Sequence, residues 1–159
     1  SQMTRAQVAS YRAHAPSLQI DPIDLAENGA GAAIAWLKAQ DLEQAPLIYA
    51  SAEPDQVRAA QDRLGAQRAG AIVEEALAQI VVAALDLGAR RIIAAGGETS
   101  GAVAKTLEIA DLVIGAEIAP GVPWCYATSA GNEIAIALKS GNFGTETFFD
   151  DALVALDQT

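Results

Sequence analysis

The chain has 159 residues, of which 52% are hydrophobic, so it carries enough apolar material for one full-sized core and a single domain is expected. Twenty acidic residues against ten basic ones leave a net charge of −10, which argues against a nucleic-acid partner but leaves a nucleotide open, since that needs only a local nest of N–H donors. One cysteine (Cys125) and one histidine (His14) exclude an internal disulfide, a cysteine-based zinc site and a histidine-rich metal site, and without a membrane-length apolar run or a signal peptide a cytoplasmic protein with no membrane partner is expected.

The pattern opens on a helix, Arg5 to His14, with Val8 and Tyr11 as its apolar positions. A chain that starts at a helix cap is expected to be a piece of something longer. His14 stands just before Pro16, where helices end, and reads as a solvated terminal residue. Leu18–Ile23 reads as a strand closed by Asp21-Pro22, and roughly Gly31 to Gln40 as a helix. Leu47–Ala50 is a second strand, entered at Pro46. Turn chemistry over Ser51–Asp55 leads into an exposed, charged helix from Gln56 to about Gln67. Ala71–Leu87 carries the strongest helical period, with Val73, Leu77, Ile80, Val81 and Ala84 as its apolar stripe. Gly88 closes it, and Ile92 starts a central buried strand. A helix, a buried strand and a second helix form the βαβ rhythm of a layered α/β domain. Beyond Leu107, short strands lie around a Pro/Gly turn at Ala119–Val122, Ile134–Leu138 is a further strand, and Thr147 caps a closing helix from Phe148 to Leu156. The expected fold class is α/β: a three-layer, Rossmann-like domain with a largely parallel sheet flanked by helices and a β-rich C-terminal portion.

Two glycine-rich turns carry the chemistry. In Ile92-Ile93-Ala94-Ala95-Gly96-Gly97-Glu98-Thr99-Ser100-Gly101 a strand runs through an abrupt turn into a helix that Thr99 or Ser100 is expected to cap. Amides of a first helical turn and the positive end of its dipole make an anion site there, and a plain strand-to-helix turn is the alternative. The second turn, Lys139-Ser140-Gly141-Asn142-Phe143-Gly144, also follows a strand, so both line one crevice if their strands are parallel neighbours. Gly141 would let backbone approach a ring or a phosphate, Asn142 offers a donor and an acceptor, and Lys139 reads either as a point charge for the ligand or as a solvated lysine. Neither turn matches the dinucleotide or Walker fingerprint. Glu98 suits a water-held Mg²⁺ or a ribose hydroxyl, and equally a helix N-terminus. Trp124 and Tyr126 could stack on a base or, as is commoner for an aromatic beside Pro123, pack into the core, and Cys125 reads as a small buried apolar residue.

Gly-Gly-Glu-Thr-Ser-Gly-Ala-Val at 96–103, Glu-Ile-Ala-Pro-Gly-Val-Pro-Trp at 117–124 and Leu-Lys-Ser-Gly-Asn-Phe-Gly at 138–144, followed by Phe148-Phe149 and Ala152-Leu153, resemble the C-terminal, nucleotide-binding domain of the four-carbon acid sugar kinase family. Ser1 to Val8 resembles that domain's opening, where a strand and a serine-containing turn precede a Thr-x-x-Gln-Val helix. The resemblance implies an ATP- and Mg²⁺-dependent kinase that phosphorylates a hydroxyl of a four-carbon acid sugar such as an oxo-tetronate. It implies that Gly96, Gly97, Glu98, Thr99 and Gly141, and Ser1 with them, meet the nucleotide; Ser100 and Asn142 join them as neighbours in the two turns. The sugar is expected on an N-terminal domain outside these residues, with the catalytic base, so that the isolated domain is inactive. A non-catalytic nucleotide-sensing or interaction module and an oxidoreductase-type Rossmann domain are the alternatives. The apolar content leaves room for a homodimer.

Overall fold

The computed structural model describes residues 1–157, and the chain divides into two compact units, one of residues 15–87 and one of residues 1–14 with the chain from Gly88 onward.

In the first of these, β1 (Ser17–Gln19) and β2 (Leu47–Tyr49) pair in parallel, with Ser17 opposite Leu47. β1 is shorter than its apolar run because Asp21 caps a helix at once. Its carboxylate accepts from the Ile23 N–H at 3.3 Å, and Pro22 takes the first helical position of α2 (Pro22–Asn28). α3 (Gly31–Lys38) follows, then a 3-10 turn at Leu42–Gln44. α4 (Pro54–Leu64) begins at a proline and is parted from α5 (Ala66–Asp86) by Gly65, whose φ of 84° no helix accommodates. The periodic stripe of α5 does what its spacing predicts. Ala76 and Ile80 are buried with Ile20, Leu25, Ala33 and Leu37, and Val73, Leu77 and Ala84 pack against that cluster. Each fully buried leucine or isoleucine there contributes roughly 2 kcal/mol.

The second unit is built on a four-stranded sheet in the order β3 (Arg91–Ala95), β6 (Asn132–Lys139), β5 (Val122–Ser129), β4 (Val113–Ala119). β3 runs parallel to β6, whereas β6–β5 and β5–β4 are antiparallel. The sheet is therefore mixed, and the largely parallel arrangement expected from the sequence is confined to the pairs β1–β2 and β3–β6. The reason is local. β4 and β5 are joined across Pro120-Gly121 and β5 and β6 across Ala130-Gly131, with φ of 81° at Gly121, 48° at Ala130 and 78° at Gly131. Two-residue connections can only reverse a chain, while a parallel neighbour needs a long crossover. The β-rich C-terminal portion stands as expected.

Trp124, Ile134, Ile136 and Phe148 are almost completely buried and form the centre of this unit's core. The Trp124 indole N–H donates to the Ala152 carbonyl of α7 (Phe148–Asp157) at 2.7 Å. α1 (Gln2–Arg12) packs against α7, with the Tyr11 and Phe149 rings edge to face at 5.7 Å. His14 is exposed, as expected, and also holds its Nε2 2.9 Å from the Asp150 carboxylate. Among the described residues no helix is long and apolar enough to cross a membrane.

Candidate functional site

The two glycine turns lie side by side because β3 and β6 are parallel and in register to their ends, with Ala95 opposite Lys139. The Gly96 N–H continues the ladder past the strand, donating to the Lys139 carbonyl at 2.8 Å. Both turns thus leave the sheet from the C-terminal edges of neighbouring strands, where open α/β sheets hold ligands.

In the first turn, Gly96 has φ 106° and ψ 140°, a conformation that other residues adopt only with strain. It serves as the N-cap of α6 (Gly97–Thr106) with no side-chain cap. The expected capping hydroxyls therefore sit inside the first turn: the helix starts at Gly97, ahead of both. Ser100 turns its hydroxyl back to the strand ends, donating to the Ala94 carbonyl at 3.2 Å with the Lys139 carbonyl at 3.4 Å. Its N–H bonds the Gly96 carbonyl at 2.8 Å, closing the first turn of the helix. Gly97 and Glu98 are exposed, and a Cβ added at Gly97 would meet no protein atom within 4 Å. Open space over first-turn amides without a side-chain cap can receive an anion's oxygens.

The second turn is held from within. Ser1 is the N-cap of α1, its Oγ accepting from the Thr4 N–H at 3.1 Å. The Gly141 carbonyl has three donors around it: Ser1 Oγ at 2.7 Å, Lys139 Nζ at 2.8 Å and Thr4 Oγ1 at 2.9 Å. A Cβ at Gly141 would come within 3.1 Å of Ser1 Cβ, so a side chain here would press on the N-cap of α1. Gln7, fully buried, donates its amide to the Phe143 carbonyl at 3.0 Å and the Thr145 carbonyl at 2.8 Å. Asn142 is exposed at the tip.

Lys139 departs from both readings of it as a solvent-facing residue. It is 0% exposed, and its ammonium donates to Gly141 O, to Ser140 O at 3.1 Å and to Thr4 Oγ1 at 3.3 Å. The Phe148 ring lies 5.9 Å beneath it. Burial pulls its pKa below the usual lysine range, and no carboxylate among the described residues pairs with it. Thr4 and Gln7 had one signal in sequence: with Ser1 they repeat every three residues, which places them along one helical face.

The remaining candidates are structural. Trp124 is 0% exposed and cannot stack on a ligand, and Cys125 is buried. A depression of about 550 Å³ near the opposite end of β6 is lined by Glu108, Asp111 and Glu133, and is the wrong charge for a phosphate. Among the described residues no cluster of three or more His, Cys, Asp or Glu is placed to hold a metal ion.

Residues 1–149 match the family model described as the nucleotide-binding C-terminal domain. A 3-oxo-tetronate kinase of Burkholderia multivorans is 48% identical over 159 residues, covering 99% of this chain and 37% of that protein. One from Pseudomonas fluorescens is 48% identical over 151 residues, covering 94% and 35%. A solved Salmonella typhimurium protein, itself described provisionally as a tRNA synthase, superposes with a TM-score of 0.84 at 41% identity over 96% of this chain and 38% of its own. A Haemophilus influenzae structure gives 0.83 at 36% identity over 96% and 37%. The chain thus spans little more than a third of the length of the curated relatives it matches. It belongs to the nucleotide-binding C-terminal domain family, as carried by the four-carbon acid sugar kinases.

Proposed function

We propose that this chain is the ATP-binding domain of a kinase that phosphorylates a four-carbon acid sugar of the 3-oxo-tetronate type. The observation that carries the reading is the parallel β3–β6 pair, whose register sets the Gly96–Thr99 and Gly141 turns beside each other. The amides of Gly97 and Glu98 receive the phosphates at the start of α6, Gly96 and Thr99 line the same turn, and Gly141, Asn142 and Ser1 border the nucleotide from the second turn. Ser100 supports the first turn by tying α6 to the strand ends. Mg²⁺ would arrive on the nucleotide, and the exposed Glu98 in the first turn of α6 would be the carboxylate to hold one of its waters. ATP bound here supplies the phosphoryl group. The chain's own part is to orient it and to stabilise charge through amides and a helix N-terminus, which is most of what phosphoryl transfer asks of a protein. The sugar acid and the catalytic base belong to the part of the relatives that this chain does not match. A cytoplasmic setting follows from the same reading. A homodimer is compatible with the exposed Val113 and Ile114 on edge strand β4.

The test is calorimetric titration with Mg·ATP, with NAD as control, on the wild-type chain and on Gly97→Val. A Cβ at 97 meets no protein atom within 4 Å, so the fold is expected to stand while the side chain fills the phosphate space. ATP binding lost in Gly97→Val, with an unchanged melting curve, is the expected result. Normal ATP affinity in the folded variant overturns the phosphate-turn assignment. A nucleotide-sensing module would predict the same binding with no contribution to phosphoryl transfer when the chain is joined to the rest of a relative.

A further inference from the structure

We propose that Thr4 and Lys139 are positioning residues which hold the Gly141 carbonyl inward and thereby turn the Asn142 N–H outward as a donor to the nucleotide; this rests on the ATP-binding reading above. Neither residue was assigned by the motifs, and the buried lysine has no role in phosphate contact that its burial would permit.

The peptide geometry makes the step. The chain has no cis peptide bonds, and in a trans peptide the C=O and the following N–H point in opposite directions. Ser1, Thr4 and Lys139 crowd the Gly141 oxygen at 2.7–2.9 Å, fixing that peptide plane from the protein side. The Asn142 N–H is then directed away from α1, and it bonds no acceptor among the described residues. Gln7 fastens the far end of the same loop at Phe143 and Thr145. The Thr-x-x-Gln spacing of α1 and the Lys-Ser-Gly-Asn-Phe-Gly loop are thus two halves of one clamp. Lys139 suits the task because a single ammonium supplies three protons, and here all three go to oxygens of the loop and of Thr4. A neutral side chain at 139 would take one donor from each of the Ser140 and Gly141 carbonyls, leaving the first to the Phe143 N–H and the second to Ser1 and Thr4.

The experiment uses the whole chain with Mg·ATP as probe. Amide hydrogen exchange is followed over residues 140–145 without ligand, and affinity is measured by calorimetry, for wild type, Thr4→Val, Thr4→Ser and Lys139→Met. In Thr4→Val, loop exchange quickens and ATP affinity falls about tenfold, as for one lost hydrogen bond in a preorganised site. Thr4→Ser restores both to within about twofold, which a merely structural loss would not do. Lys139→Met, where it folds, loses more than Thr4→Val. Loop exchange unchanged in Thr4→Val overturns the clamp, and a loosened loop with unchanged affinity overturns its link to the nucleotide. Absence of ATP binding by wild type overturns the nucleotide reading and this link with it, while the exchange data still decide whether the clamp exists.

Discussion

Cys125 lies on β5 with only 8% of its surface exposed, and burial raises its thiol pKa above the ordinary value. The thiolate is the reactive form, and each unit of upward shift removes about nine-tenths of it at a given pH. Modification by a disulfide reagent at pH 8 is therefore expected to run slower in the native chain than in urea, through the raised pKa and the restricted access together. Stoichiometric labelling of the folded protein at the unfolded rate would show that β5 opens readily. Lys139 makes the complementary point about what a sequence discloses. Gly96, Gly97 and Gly141 were legible because a glycine at a strand end is a local signal that can be read without knowing its neighbours. Burial of Lys139 was not, since it depends on Thr4, 135 positions away, closing over the ammonium. A lysine beside a glycine turn otherwise reads as solvent-facing, and chain-distant contacts leave no trace in local pattern.

Between elements, the α1–α7 contact carries two kinds of link whose strengths differ. The His14–Asp150 pair is substantially exposed on both sides, and such pairs contribute about 0–1 kcal/mol. Phe149 is 6% exposed and packs edge to face with Tyr11 and Phe148, and truncating a buried phenylalanine to alanine costs about 3–5 kcal/mol. Urea unfolding should show His14→Ala close to wild type and Phe149→Ala well below it. Equal losses would mean that the surface pair, and not the aromatic cluster, docks α7. The elements themselves were largely readable: the apolar period of α5 placed Ile80 and Leu77 correctly, and the strand before Gly96 fell where Ile92 and Ile93 predicted it. Strand direction was the part lost. The βαβ rhythm around β3 suggested a parallel sheet, but direction in β4–β6 is set by turn length, and Ala130-Gly131 is a weaker written signal than Asn-Gly. Helix starts slipped for a similar reason. Gly96 caps α6 by backbone conformation alone, so the nearby hydroxyls of Thr99 and Ser100 draw the predicted boundary three or four residues too late.

For the molecule as a whole, the decisive quantity is the share of the relatives that it represents. The chain matches 37% of the Burkholderia kinase, and both glycine turns and their clamp fall inside that share. On the proposed reading nucleotide binding draws on these turns, whereas transfer needs the acceptor hydroxyl in line with the phosphorus and shielded from water. Effective molarities for oriented groups reach about 10⁵–10⁸ M, so losing the acceptor's site removes most of the rate even when ATP is fully bound. The 159-residue chain with Mg·ATP and a four-carbon acid sugar is therefore expected to bind nucleotide yet release no ADP above the sugar-free blank, while a full-length relative turns over in the same assay. Sugar-dependent ADP release by the chain alone would put an acceptor site within these residues, and the division of labour between the matched third and the remainder would have to be redrawn. The absence of turnover alone would not separate a kinase domain from a sensing module, because both predict it. Rejoining the chain to the unmatched portion of a relative does separate them: a kinase domain restores sugar-dependent turnover, and Gly97→Val in the joined protein abolishes it.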